Sequence, residues 1–226
     1  MKLPLSGLIA VSCMAQQAVP AAREPHHHVI YEDARVRILD VRIEPRGTTL
    51  LHRHDTDYVG VTLDEASPGI RFSPGGMTQV ELSENDREFR EVIIELLQPQ
   101  TGPRNVCGEI LLGQYLHCHD PGSEWLGANL QMQFETDQTR FGILQIAPNA
   151  KLAVPPADVP PLLIALEGTE AEAVSRANGA SAGSFPRRTL KAADVLRSPA
   201  DQVTEIQNNG KTAARFLIVE FGGPGE

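Results

Sequence analysis

The sequence predicts an all-β chain of two tandem barrels, and three observations carry that expectation. The 226 residues hold 17 prolines and 19 glycines against only 5% aromatic side chains, a balance that suits many short elements joined by turns. No stretch of twelve or more residues shows clean 3.6-residue periodicity, so long amphipathic helices are not expected. Finally, one unit is written twice. "EPRGTTLLHRHDTDYVGVTL" (44 to 63) lies over "APNAKLAVPPADVPPLLIAL" (147 to 166) at a shift of 103, and "SPGGMTQVELSENDREFREVIIELL" (73 to 97) lies over "SPADQVTEIQNNGKTAARFLIVEF" (198 to 221) at a shift of 125. The second copy therefore carries about 22 more residues between its paired segments, including the small-residue stretch "SRANGASAGSFPRRTL", which reads as a loop.

Taken in order, the chain opens on "MKLPLSGLIAVSCMAQQ": Lys2, a mostly apolar run, then small residues. This is the pattern of a short export signal, assigned to residues 1–22, with Cys13-Met14-Ala15 as a small-x-small cleavage site. A lipoprotein signal ending at Cys13 and a first β-strand are the alternatives. The run is too short to span a bilayer. The "PHHH" that follows reads as a solvated arm. "RVRILDVRI" (35 to 43) and "EVIIELL" (91 to 97) have strand composition, and "EPRG", "SPGG" and "NNGK" are turns. The acids of "ELSENDREFRE" read as a solvated turn and edge.

The expected units are an N-terminal domain over 23–104, a linker over 105–125 and a C-terminal domain over 126–226. Cys107 and Cys118 lie in that linker, and export makes a disulfide between them the expected state. A zinc site from Cys107, His117, Cys118 and His119 is the rival, weakened because the consecutive His-Cys-His puts Cys118 on the opposite face of an extended segment.

Within "LLHRHDTDYVG" (50 to 60), His52 and His54 stand two apart, so on a strand both point to one side, as chelation of one ion by two imidazoles requires. No histidine follows His119, so the C-terminal half cannot hold a multi-histidine site. Net charge is −9 with no basic stripe, which excludes nucleic acid as an expected partner.

A His-x-His after a glycine turn, then "PGG" and a second polar position before a closing apolar strand, resembles the cupins, and the resemblance covers residues 30 to 221 as two units. It implies a double-stranded β-helix, or jelly roll, for each half. The family's first motif is Gly-x5-His-x-His-x3,4-Glu-x6-Gly and its second is Gly-x5-Pro-x-Gly-x2-His-x3-Asn. Metal-binding members ligate through two histidines and the glutamate of the first and the histidine of the second.

Here Gly47 leads to His52 and His54 one residue early, while Tyr58 and Val59 occupy the glutamate positions. Pro74 and Gly76 match the second motif, Gln79 stands at its histidine and Ser83 at its asparagine. In the second copy Pro155, Ala157 and Thr204 replace the histidines, and only Asn208 is kept.

The resemblance thus implies a metal set of His52, His54 and Gln79, with a carboxylate from Asp57 or Asp55, and Tyr58 as a hydrogen-bond donor to a bound ligand. Two imidazoles plus oxygen suit Fe, Mn, Ni or Zn. The implied protein is an exported bicupin, periplasmic or extracellular, with a weakened or vestigial metal site. Its partners would be a small organic molecule and a second copy of the chain. As an enzyme it would be an oxygenase, decarboxylase or isomerase. The alternatives are a metal-free binding protein that uses Tyr58, Gln79 and Arg71, or a structural protein with barrels plugged by side chains such as Leu51 and Met77.

Overall fold

The computed structural model describes residues 17–63, 69–84, 86–107, 122–166, 170–177 and 187–222. Short strands separated by Pro- and Gly-containing corners make up nearly all of it. In the first half these are β1 (Val19–Pro20), β2 (His27–Glu32), β3 (Val36–Ile43), β4 (His52–Arg53), β5 (Tyr58–Thr62), β6 (Ile70–Ser73), β7 (Thr78–Gln79) and β8 (Phe89–Leu96), with a 3-10 turn over Ala21–Arg23. In the second half they are β9 (Arg104–Asn105), β10 (Ser123–Trp125), β11 (Ala128–Glu135), β12 (Thr139–Ile146), β13 (Lys151–Val154), β14 (Leu162–Ala165), β15 (Ala171–Ala177), β16 (Arg188–Thr189), β17 (Val195–Arg197), β18 (Gln202–Asn208) and β19 (Ala214–Phe221).

The repeat seen in the sequence is a repeat of topology. The large sheet of the first half runs β2-β3-β8-β5-β6, and the large sheet of the second half contains β11-β12-β19-β14-β17, the same order strand for strand. The start of β12 lies 103 residues after that of β3, and the start of β19 lies 125 after that of β8. Each large sheet is opposed by a small one: β1-β4-β7 in the first barrel and β13-β18-β15-β16 in the second.

The same turn precedes the small sheet in both copies. The Gly47 N–H donates to the Glu44 carbonyl at 2.8 Å and the Ala150 N–H to that of Ala147 at 3.1 Å. Arg46 and Asn149 take left-handed φ values of 60° and 58°. This is a type II turn, for which Pro45 and Pro148 preset the second position.

The extra residues of the second copy include β15 and β16, and β15 pairs along β18. The corresponding edge of β7 has no strand partner among the described residues. The first barrel instead gains β1, which runs parallel to β4 with Val19 beside His52. Val19 to Arg23 are therefore built into the N-terminal barrel. Residues 1–16, which carry the proposed cleavage site and Cys13, lie outside the described residues, as do His117, Cys118, His119 and residues 178–186 of the predicted loop.

Alternation sorts each strand of the first large sheet into two faces. Val36, Ile38, Val59, Val61, Phe72, Val92, Ile94 and Leu96 turn outward and join Phe134, Phe141, Ile143, Leu162, Leu217 and Val219 in one apolar core shared by the two halves. Phe134 sits at its centre, with ring centroids 5.0 Å from Phe72 and 5.6 Å from Phe141. Arg197 bonds Tyr31 and Asp33 across the same boundary.

The interiors of the two barrels differ. The second is filled by Leu130, Met132, Leu144, Ile146, Leu152, Val154, Leu163, Phe216 and Ile218. The first has a small apolar lining, with Leu39, Val41, Ile43, Tyr58 and Ile93 at its heart. The rest of its inner wall is polar. No helix among the described residues is long and apolar enough to cross a membrane.

Candidate metal centre

The polar interior of the first barrel centres on three histidines. The His52 side chain enters from β4 and that of His54 from just beyond it. His27 opens β2, where its neighbours His26 and His28 are more exposed. All three are buried, at 4% or less of full exposure. One ring nitrogen from each lies within 4.8 Å of the other two, and the His27 and His52 ring centroids are 4.6 Å apart.

Each ring is anchored by its Nδ1. That of His27 meets the Ala21 carbonyl at 3.0 Å, that of His52 the Leu50 carbonyl at 2.9 Å, and that of His54 the Glu95 carboxylate at 2.9 Å. A carbonyl can only accept, so Nδ1 of His27 and of His52 must carry the hydrogen. The Nε2 lone pairs are then bare, and none of the three Nε2 atoms has a hydrogen-bond partner. Burial, aided by the neighbouring His27 and His54 rings, holds the His52 imidazole below the usual histidine range and so keeps it neutral.

Glu81 borders the group on the His27 side. Its Oε2 lies 3.5 Å from His27 Nε2 and is likewise buried without a hydrogen bond. Burial alone would raise this carboxyl. Where the rings carry protons, contact with His27 and the fields of His52 and His54 outweigh it and hold the group below the usual glutamate range, so Glu81 is an anion that draws either a proton or a cation to the cluster. Three bare imidazole nitrogens and one carboxylate oxygen, left without partners in a dry pocket, would be costly on their own. Together they are a suitable donor set for a divalent first-row cation.

The residues around these donors hold them in place. Gln79 pairs with His52 across the small sheet. Its Nε2 donates to Glu81 Oε1 at 2.9 Å, and its Oε1 accepts from the Tyr58 hydroxyl at 3.1 Å. Tyr58 also stacks on His54, with centroids 4.1 Å apart. Glu95 binds His54 through one oxygen and Arg37 through the other, at 2.9 Å.

His52 and His54, expected from the motif, are thus together in the cluster, and Tyr58 lies against it. The Gln79 amide oxygen, expected to face a metal, is taken by Tyr58, and the side chain reaches the site through Glu81. Asp57 accepts from the Gly75 N–H at 2.8 Å in the turn before β7, and Asp55 pairs with Arg53 at the surface. Neither belongs to the histidine cluster. Cys107 donates its N–H to the Gln133 carbonyl at 3.0 Å, and Cys118, its expected partner, lies outside the described residues.

His27 and Glu81 were not expected from the sequence. The "PHHH" stretch read as a solvated arm, yet β2 pairs with β3 and puts its first residue inside. Glu81 had a detectable signal: it stands two residues after Gln79, the position matched to the motif histidine, and so faces the same way.

In the second barrel the equivalent space is apolar. Thr204 bonds Ser175 there, and the Asn208 amide donates to the carbonyls of Ile146, Ala147 and Thr212 at 2.8–3.1 Å. Asn208 therefore ties a turn together.

No family model and no curated protein matches the sequence. Solved structures do. AerE from Microcystis aeruginosa is 8% identical with a TM-score of 0.56, over 88% of this chain and 98% of its own. A Bacillus subtilis oxalate decarboxylase variant is 11% identical with a TM-score of 0.51, over 88% and 72%. A further oxalate decarboxylase structure gives 11% identity and 0.52, over 88% and 73%. At such identity the likeness is one of fold, and it spans most of the chain: the protein is built of two all-β barrels of the cupin fold.

Proposed function

We propose that the N-terminal barrel binds one divalent metal ion, Fe, Mn, Ni or Zn, through His27, His52, His54 and Glu81, and that the chain acts on a small organic molecule there. The observation that carries this reading is the set of three buried Nε2 atoms without partners, grouped around one point while each Nδ1 is anchored. In this reading His27 and Glu81 supply the donors that the first motif and the Gln79 substitution lack, so the site is complete rather than vestigial. A bound ion would supply Lewis acidity or, if redox-active, electron transfer.

The protein's own contribution is positioning. Ala21, Leu50 and Glu95 fix the imidazole tautomers and ring planes, as outer-sphere partners of metal-binding histidines do. Tyr58 and Gln79 orient Glu81, and the apolar core behind β3, β5 and β8 keeps the wall rigid. The second barrel, filled with side chains, serves as a scaffold. An export signal cleaved before Gln16, which leaves β1 and Ala21 in the mature barrel, a Cys107–Cys118 disulfide and a homodimer belong to the same proposal. The oxygenase, decarboxylase and isomerase classes all fit the donor set.

The test is elemental analysis of untagged protein alongside His52→Ala/His54→Ala. About one equivalent of metal in the wild type and its loss in the variant supports the reading. Traces in both would leave a metal-free binding or structural protein as the better account.

A further inference from the structure

The shared apolar core gives way to charge where β3 and β8 border the second half. On β3, Leu39, Val41 and Ile43 line the first barrel, so Asp40 and Arg42, which alternate with them, turn outward, as does Arg90 on β8. The 103-residue shift lays Asp40 on Ile143, which is part of the shared core. A carboxylate only 4% exposed therefore stands where an isoleucine serves the other copy of the fold.

Arg42 and Arg90 are direct cross-strand neighbours, a like-charged pair that disfavours the sheet unless an acid lies between them. Asp40 is that acid, accepting from Arg42 at 2.6 and 2.9 Å and from Arg90 at 3.1 and 3.2 Å. One carboxylate thus serves two guanidiniums. Arg90 also crosses to the second half and donates to the Ala192 carbonyl at 3.0 Å.

Ala192 belongs to a tight turn, Lys191 to Asp194. The Asp194 N–H donates to the Lys191 carbonyl at 2.9 Å, and the Asp194 carboxylate accepts from the Lys191 N–H at 2.8 Å and pairs with Arg188 at 2.7 Å. Ala193 takes a left-handed φ of 70° although it carries a side chain, the kind of strained backbone that clusters at ligand sites. The Lys191 ammonium has no hydrogen-bond or ion-pair partner among the described residues.

Between the sheet and this turn lies a cavity of about 510 Å³, of the size that small molecules occupy. Four cations line it, Arg42, Arg90, Arg188 and Lys191, against two carboxylates, Asp40 and Asp194. Glu88 adds a negative charge near Arg42, and the cations still outnumber the acids, on a chain whose net charge is −9. The histidine cluster lies on the opposite face of the same sheet.

We propose that this cavity is a second ligand site, independent of the histidine cluster, and that it takes a small organic phosphate. Its cations stand on two walls, Arg42 and Arg90 on the sheet of one half, Arg188 and Lys191 on the other. A phosphate presents oxygens in several directions and can meet both walls, whereas a carboxylate presents one plane. Ile30 and Val195 supply apolar surface for the organic part. Because both halves contribute, the ligand bridges the two barrels.

The experiment is calorimetric titration of chelator-treated full-length protein with phenyl phosphate at constant ionic strength. The samples are wild type, Arg188→Ala/Lys191→Ala, Arg42→Gln and, as a control, Arg46→Ala, which removes an exposed arginine outside the cavity. Saturable binding of one molecule per chain is expected in the wild type and in Arg46→Ala. It should weaken about tenfold or more in the double variant and in Arg42→Gln, the worth of a charged hydrogen bond.

No saturable binding in the wild type, an affinity unchanged in the double variant, or an equal loss in Arg46→Ala overturns the proposal. Succinate bound more tightly than phenyl phosphate overturns the choice of phosphate. Chelation removes metal from every sample, so the result stands or falls apart from the proposed metal centre.

Discussion

At the scale of residues, the site depends on side chains that hold other side chains. Glu95 accepts from His54 Nδ1 and is steadied by Arg37. Glu95→Gln should therefore leave the fold intact and weaken metal binding about tenfold or more, measured by competition with a chromophoric chelator. Unchanged affinity would show that His54 needs no orienting partner.

Glu91 supplies a prediction for stability. Its carboxyl is raised from 4.5 to about 7 in the folded chain, so between those values the folded state holds a proton that the unfolded state has released. The wild type therefore loses stability as pH rises through that window, and Glu91→Gln does not. The variant should gain on the wild type by up to ~3 kcal/mol between pH 4 and pH 8, read from urea unfolding at the two values.

The sequence made His52 and His54 legible because their spacing is that of one strand face. His27 was hidden because three consecutive histidines offer no way to tell which one faces inward until β2 is paired with β3. Glu81 was hidden because it lies beyond the end of β7, at a position to which the motif assigns no ligand.

At the scale of elements, the duplicated segments held information about topology as well as similarity. The two shifts place β3 on β12 and β8 on β19, and the paired type II turns at Pro45 and Pro148 explain why the segments before the small sheets remain similar. What the shifts could not tell was where the extra residues went. They include β15, which runs along β18, whereas the matching edge of β7 is uncovered among the described residues, and pattern alone does not assign a strand to an edge.

Asn208 shows how a motif residue can outlast its motif. Its amide serves three carbonyls, and its Oδ1 accepts from the Gly210 N–H at 2.9 Å. Asn208→Ala should cost about 2–3 kcal/mol by leaving buried backbone groups unpaired, with no effect on metal content. A cost below about half a kcal/mol would mean that water replaces the amide.

At the scale of the whole molecule, two barrels of like topology have divided their interiors. One is packed with leucine, isoleucine and phenylalanine, and the other keeps its apolar lining small and gathers histidines and carboxylates. Their large sheets share a core in which Phe134 touches both halves, so they should unfold together. Phe134→Ala is expected to lower stability by about 3–5 kcal/mol while preserving a single calorimetric transition. Two resolved transitions would show that the halves are independent.

The central claim is that a histidine outside the recognisable motif completes the metal centre. The most direct measurement is the metal content of His27→Ala, purified without a tag beside the wild type. One equivalent in the wild type falling to a small fraction in His27→Ala is the result the structure predicts. A variant that retains the full equivalent would contradict the four-donor site and return the centre to the His52–His54 pair alone.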